Sequence, residues 1–246
     1  MSGSKNISAA AITAKTMTPD SKELEIIYRQ RFAGRQEYRN RVWQVLIRDV
    51  FGEFVRPEDT VLDLGCGYGE FINQVGCATR YGMDLNPASS RLLASGVRFL
   101  QQDCSAPWPL PERSLDVVFT SNFFEHLPDK KTLAATVDQV HRCLKPGGKL
   151  IALGPNIKFI PGAYWDFWDH CLPLTELSLS EGLRHRGFDI IRCHPRFLPY
   201  TMVNAPRYPL LFLRLYLAMP WVWRLFGKQF LVVGVRRENG NKAADR

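Results

Sequence analysis

The stretch Val61-Leu-Asp-Leu-Gly-Cys-Gly-Tyr-Gly-Glu70 decides the fold. Val61, Leu62 and Leu64 read as a buried parallel strand, 60–64. The strand runs straight into glycines at alternate positions, Gly65, Gly67 and Gly69, and a helix is expected over 69–76. Glycine lacks a Cβ, so a ligand can lie against such a loop, and a helix start presents free N–H groups. A dinucleotide fingerprint would carry its third glycine one position later. Asp63 stands two residues before Gly65, where a carboxylate would repel a pyrophosphate. An acid there suits a ligand with a cationic amino group and no phosphate.

S-Adenosylmethionine (SAM) is such a ligand, and the next segments support it. Arg80-Tyr-Gly-Met-Asp-Leu-Asn86 ends a second strand in Asp84, placed to accept from ribose hydroxyls. Phe99-Leu-Gln-Gln-Asp103-Cys104 puts a carboxylate where an adenine amino group could be read. Leu115 to Leu127 is an apolar strand that opens into Ser121-Asn-Phe-Phe-Glu-His126. Leu144-Lys-Pro-Gly-Gly-Lys-Leu-Ile-Ala-Leu153 is a helix stop, a glycine turn and another strand.

These segments, in this order over residues 55–155, resemble the class I SAM-dependent methyltransferases, particularly the group acting on small molecules, lipids and sugars. The resemblance implies that Asp63, Gly65, Cys66 and Gly67 border the methionine end of the cofactor. It implies that Asp84 holds the ribose and that Leu85 flanks the adenine. Asp103 and Cys104 would meet the adenine edge, and Asn122 would sit beside the reacting methyl. It also implies a Rossmann-like, doubly wound α/β fold whose seven-stranded sheet is mostly parallel with the last strand antiparallel.

The alternation along the chain agrees with that fold. Strands are expected at 60–64, 79–84, 97–101, 115–120, 148–154, 188–194 and 228–236, with helices at 69–76, 87–94, 129–143 and 175–186. Thr175 fits a capping box only loosely. Residues 1–20 are polar and read as disordered, and 21–56 as an N-terminal helical cap. The methyltransferase domain spans 57–237, and 238–246 is a loose tail. In the cap, Tyr28, Arg31, Arg39 and Trp43 are candidates to face the site, against the alternative of a solvated basic face.

Two clusters at strand ends could carry the chemistry. One is Glu125-His126; the other lies in Tyr164-Trp-Asp-Phe-Trp-Asp-His170. The catalytic candidates are His170, oriented by Asp169, and His126; pocket shaping and a buried loop histidine are the competing readings. Tyr164, Trp165, Phe167 and Trp168 would form an apolar or sugar-stacking wall.

Absences narrow the acceptor. Ser121-Asn-Phe-Phe124 is not the Asn/Asp-Pro-Pro-Tyr of enzymes methylating planar amino groups. The six cysteines show no paired or zinc spacing, so reduced thiols in a cytoplasmic protein are expected and no metal is. Hydroxyl, carboxyl or activated-carbon acceptors on small molecules, glycans or lipids remain.

Net charge is +8, and Arg184 to Arg237 holds ten Lys/Arg against one acid, Asp189. That stretch contains an insert at 196–227 with the chain's most apolar run, 208–226, interrupted by Arg214, Pro220 and Arg224. The run reads as a lid or as a peripheral contact with the inner membrane surface, not as a span. A nucleic-acid methyltransferase is supported only by the charge, and nucleic acid is an unlikely partner. A SAM-binding, catalytically silent interaction protein is the remaining alternative.

Overall fold

The computed structural model of the chain describes residues 36–200 and 207–238. The expected disorder at 1–20, Tyr28, Arg31, residues 201–206 of the insert and the tail beyond Glu238 therefore lie outside the described residues.

Seven described strands form one sheet in the order β3-β2-β1-β4-β5-β7-β6. They are β1 Thr60–Leu64, β2 Thr79–Asp84, β3 Val97–Gln101, β4 Leu115–Ser121, β5 Leu144–Pro155, β6 Phe188–His194 and β7 Gln229–Arg236. β1 pairs in parallel with β2 and β4, and β4 with β5. β7 lies antiparallel between β5 and β6. The parallel strands all end on one edge, so their carboxyl-end loops converge there, where ligands of open α/β sheets bind.

Side chains alternate across a strand. Leu62 and Leu64 fall in one core cluster with Val118, Leu150 and Val232. Val61 falls in the other, with Phe119, Ile151 and Val233. Helices α2 (Lys130–Cys143) and α3 (Glu176–His185) cover the first face. Asp129 caps α2 by accepting from the Thr132 N–H at 2.7 Å. Thr175 and Ser178 close a reciprocal capping box on α3, so hydroxyls do what the looser sequence match to Glu176 did not suggest.

Helix α1 (Gln36–Asp49) covers the second face. Its Trp43 packs among Phe51, Phe71 and Phe119, and the last two stack at 3.8 Å. Trp43 thus belongs to the core and not to the site, a correction that follows from the aromatic partners waiting on β4. Over that face also lie α4 (Leu210–Ala218) and α5 (Pro220–Phe226). Arg214 of α4 lies 3.6 Å from Asp49, and the Tyr216 hydroxyl donates to the Phe197 carbonyl.

Two expected helices are not regular ones. Residues 69–76 form turns with i→i−4 bonds only from Asn73 to Gly69 and from Val75 to Phe71. A segment this short does not recover the cost of helix nucleation, and Gly76 ends it. Residues 87–94 form a tight 3₁₀ turn, Pro87–Leu92. There the Ser90 hydroxyl donates to the Pro87 carbonyl at 2.7 Å, competing with the helical pattern. Asn73 ties the two segments, donating to the Leu92 carbonyl and accepting from the Ala94 N–H.

Candidate active site

The glycine loop is built as a cradle. The N–H groups of Gly65 and Cys66 both donate to the Met83 carbonyl, at 2.9 and 3.0 Å, binding the loop to the end of β2. Gly65 has φ +73°, and a Cβ there would come within 2.4 Å of the Phe123 ring. Only glycine allows both the dihedral and that approach.

Three acids gather at this loop. Asp84 accepts from the Gly67 N–H and from the Asn86 N–H, each at 2.8 Å. Asp63 is buried, and burial pushes its carboxyl well above the usual range, helped by the charges of Glu70 and Asp84. The Arg39 guanidinium pairs with Glu70 at 2.7 Å, so α1 does contribute to the site through Arg39. Glu70 was quoted in the glycine run but not read as a site residue. The signal was its place at the start of the expected helix, where an acid sits against free N–H groups.

The remaining cofactor candidates line the same edge. Leu85 is exposed beside Asp84. Asp103 is exposed, and its Oδ1 accepts from both the N–H and the hydroxyl of Ser105 at 2.8 Å. The Cys104 side chain turns into the core, taking a bond from the Thr136 hydroxyl at 3.3 Å, and burial pushes its thiol up to about 11. Cys66 is likewise buried with its thiol pushed up, so both cysteines act through packing. Asn122 follows β4 with φ +49°, uncommon for a side-chain-bearing residue, and its N–H is held by the Leu153 carbonyl.

The second cluster joins two loops. The N–H groups of Cys171 and Leu172 donate to the Glu125 carbonyl at 2.8 and 3.0 Å, clamping the loop after β5 onto the loop after β4. Nδ1 of His126 lies 3.2 Å from Oδ2 of Asp169 and 3.0 Å from its carbonyl. Asp169 therefore orients His126, whereas the sequence paired it with its neighbour His170. The clamp brings the aspartate against the histidine of the other loop, a contact that chain adjacency does not show. Burial disfavours the His126 imidazolium, yet the Asp169 bond and the Glu125 charge outweigh it and the net shift is upward. Burial also pushes the Glu125 carboxyl up to about 7, against the pull of His126.

His170 is buried, stacked on Phe167 at 4.8 Å, and its ring meets that of His126 edge-on at 5.0 Å. Tyr164 is fully buried beneath it, while Trp165 and Trp168 are exposed, Trp168 at 85%. The expected aromatic wall is thus split: Tyr164 and Phe167 pack on His170, and Trp165 and Trp168 face outward. Glu125, His126 and His170 each offer a ligand atom within 4.8 Å of the others. Spacing in the sequence could not show this, since the histidines come from separate loops.

The two clusters adjoin. His126 is near enough to Asp84 to draw its carboxyl down, against the upward push of burial. One edge of the sheet therefore carries an acidic, glycine-lined cradle beside a half-buried histidine with a carboxylate behind it.

Residues 35–192 match a protein-family model described as a methyltransferase domain. The chain belongs to that family, the class I SAM-dependent methyltransferases. The ubiquinone/menaquinone biosynthesis C-methyltransferase UbiE of Enterobacter sp. (strain 638) is 29% identical over 63% of this chain and 67% of its own length. Phosphoethanolamine N-methyltransferase 2 of Caenorhabditis elegans is 29% identical over 41% of this chain, which spans only 24% of that protein. A SAM-dependent methyltransferase structure from Archaeoglobus fulgidus superposes with TM-score 0.63, 19% identity, 86% of this chain and 99% of that one. The cofactor is accordingly SAM.

The site fits it. SAM carries a sulfonium and an ammonium, and Asp63 lies buried among further carboxylates with its ionised form penalised. A cationic ligand relieves that penalty. Asp63, Gly65 and Gly67 would hold the cationic end, and Asp84 with Leu85 the nucleoside.

Proposed function

We propose that the chain methylates a hydroxyl of a small-molecule, glycan or lipid-linked acceptor at the cluster of Glu125, His126, Asp169 and His170. The observation that carries this reading is the Asp169–His126 pair beside Asp84, because it sets a proton-handling group next to the cofactor's acid. Bound SAM supplies a methyl on a positively charged sulfur, which leaves with the electron pair as the new bond forms. The chain's part is alignment, which alone can supply much of the rate, and withdrawal of the hydroxyl proton. Carboxyl and activated-carbon acceptors fit the same edge, and the relative named as a C-methyltransferase of ubiquinone and menaquinone biosynthesis keeps the carbon acceptor in view.

The acceptor's delivery is read from α4 and α5. Their inner side packs on the core through Leu217, Leu213 and Trp223. Their outer side leaves Leu211, Phe212, Trp221 and Leu225 about 60% exposed, with Arg214 and Arg224 among them. This packing supports the reading of the run as a lid on its inner side. Exposed aromatics and leucines interleaved with arginines suit an anionic lipid surface. No helix among the described residues is long and apolar enough to cross a membrane. A cytoplasmic enzyme resting on the inner membrane face fits these features. The test is transfer of label from methyl-labelled SAM into the lipid and water-soluble fractions of a cell extract. A labelled lipid product supports the reading; SAM binding without any labelled product would support the catalytically silent alternative.

A further inference from the structure

Three observations about the second cluster are independent of one another. First, Glu125, His126 and His170 each place one ligand atom within 4.8 Å of the other two. Tetrahedral coordination at about 2.1 Å sets ligand atoms about 3.4 Å apart, so side-chain adjustments on the order of 1 Å close the set. Second, Nδ1 of His126 is already engaged by both the carboxylate and the carbonyl of Asp169. A proton held there leaves the lone pair on Nε2, the arrangement by which a carboxylate orients a metal-bound imidazole. Third, the Tyr164 hydroxyl is fully buried and finds no hydrogen-bond partner among the described residues. It lies close enough to Glu125 to feel its charge, and its ring is 4.8 Å from that of His170. A buried hydroxyl left without a partner is costly, and a bound oxygen at the cluster would offset that cost.

We infer that Glu125, His126 and His170 bind a divalent first-row transition cation, with a coordination position left for an acceptor oxygen. Two imidazoles and one carboxylate are a borderline donor set that suits zinc, manganese or cobalt; magnesium and calcium prefer oxygen throughout. The ligands are mounted rigidly, because Cys171 and Leu172 clamp both loops through the Glu125 carbonyl and Phe167 stacks on His170. On the open position a hydroxyl would be acidified by the cation and release its proton to water, with no change of oxidation state. The unpartnered Tyr164 hydroxyl would bond that oxygen. This inference rests on the methyltransferase reading of the same site and deepens it, since the cation would replace a free histidine base.

The experiment uses the full chain, stripped with chelator and titrated with Co²⁺ while its visible d–d bands are recorded. One equivalent with tetrahedral or five-coordinate bands is expected. Binding should weaken by about 100-fold or more in Glu125→Gln and His170→Ala, and by about 10–100-fold in Asp169→Asn, which acts through His126. Zn²⁺ should displace the cobalt and Mg²⁺ at similar concentration should not. SAM affinity of each variant is measured in parallel by calorimetry. Retained SAM binding shows that the variant is folded and that the cofactor reading stands independently. Absence of cobalt bands in the wild type, bands unchanged in Glu125→Gln, or displacement by Mg²⁺ would each overturn the inference.

Discussion

The cofactor cradle and the acceptor cluster sit side by side on one sheet edge but are made differently. The cradle is local: Asp63, Gly65, Gly67 and Glu70 lie within one strand and its loop, and Asp84 ends the neighbouring strand. The cluster is assembled from two loops, with His126 and Asp169 separated by 43 positions. The cradle is acidic and strained toward a cationic ligand; the cluster mixes imidazoles with carboxylates. A site whose parts follow one another in the chain shows in the sequence. One whose parts meet only after folding does not.

The sharpest way to break this division is Asp84→Ala. It removes a carboxylate that holds the Gly67 and Asn86 N–H groups and to which we assign the ribose. SAM affinity should fall by about 100-fold or more, since the charge-assisted bonds that Asp84 would accept from the two ribose hydroxyls, about 1.5–3 kcal/mol each, would be lost. Calorimetric titration measures it, and near-normal binding would remove Asp84 from the cradle. Asp169→Asn probes the other side. It should lower turnover by about 10–100-fold through a misoriented His126 while SAM affinity stays unchanged. A matching loss of SAM affinity would merge the two regions into one.

Asp63→Asn sharpens the contrast by separating stability from binding. The folded state raises the Asp63 carboxyl, so folding penalises its ionised form. That penalty is absent below the ordinary carboxylate range and grows as pH rises toward the folded value. The variant should therefore be more stable than the wild type at pH 8, on the order of 1 kcal/mol, with the gain shrinking toward pH 4. Its SAM affinity should drop roughly tenfold through the lost charge. Melting temperatures across pH give the first quantity; a gain that grows toward acid would reverse the assigned shift. The smallest expected effect is at the outer side of α4 and α5, the proposed membrane contact. Trp221→Ala with Phe212→Ala should reduce cosedimentation with anionic vesicles several-fold and leave transfer to a water-soluble acceptor intact. Equal sedimentation of both forms would leave the outer side of α4 and α5 to another partner.

The strands were legible because the apolar segments before Asp84 and Asp103 and around Asp63 report strands with polar residues at their carboxyl ends. The helices at 69–76 and 87–94 were misread because periodicity does not register the side-chain bonds of Asn73 and Ser90 that favour turns. Trp43 was placed at the site because a basic-aromatic stretch does not say which face meets Phe71 and Phe119. The contact of Asp169 with His126 did not show in the sequence because the clamp at the Glu125 carbonyl is a tertiary contact.

The central claim is that binding and transfer occupy adjacent but separable sites. The direct test measures, on one preparation of His126→Ala, SAM affinity by calorimetry and methyl transfer from labelled SAM into extractable product. SAM affinity close to wild type with transfer reduced by about 10²–10⁴-fold is the predicted result. Transfer at the wild-type rate, or affinity and transfer falling together, would contradict it.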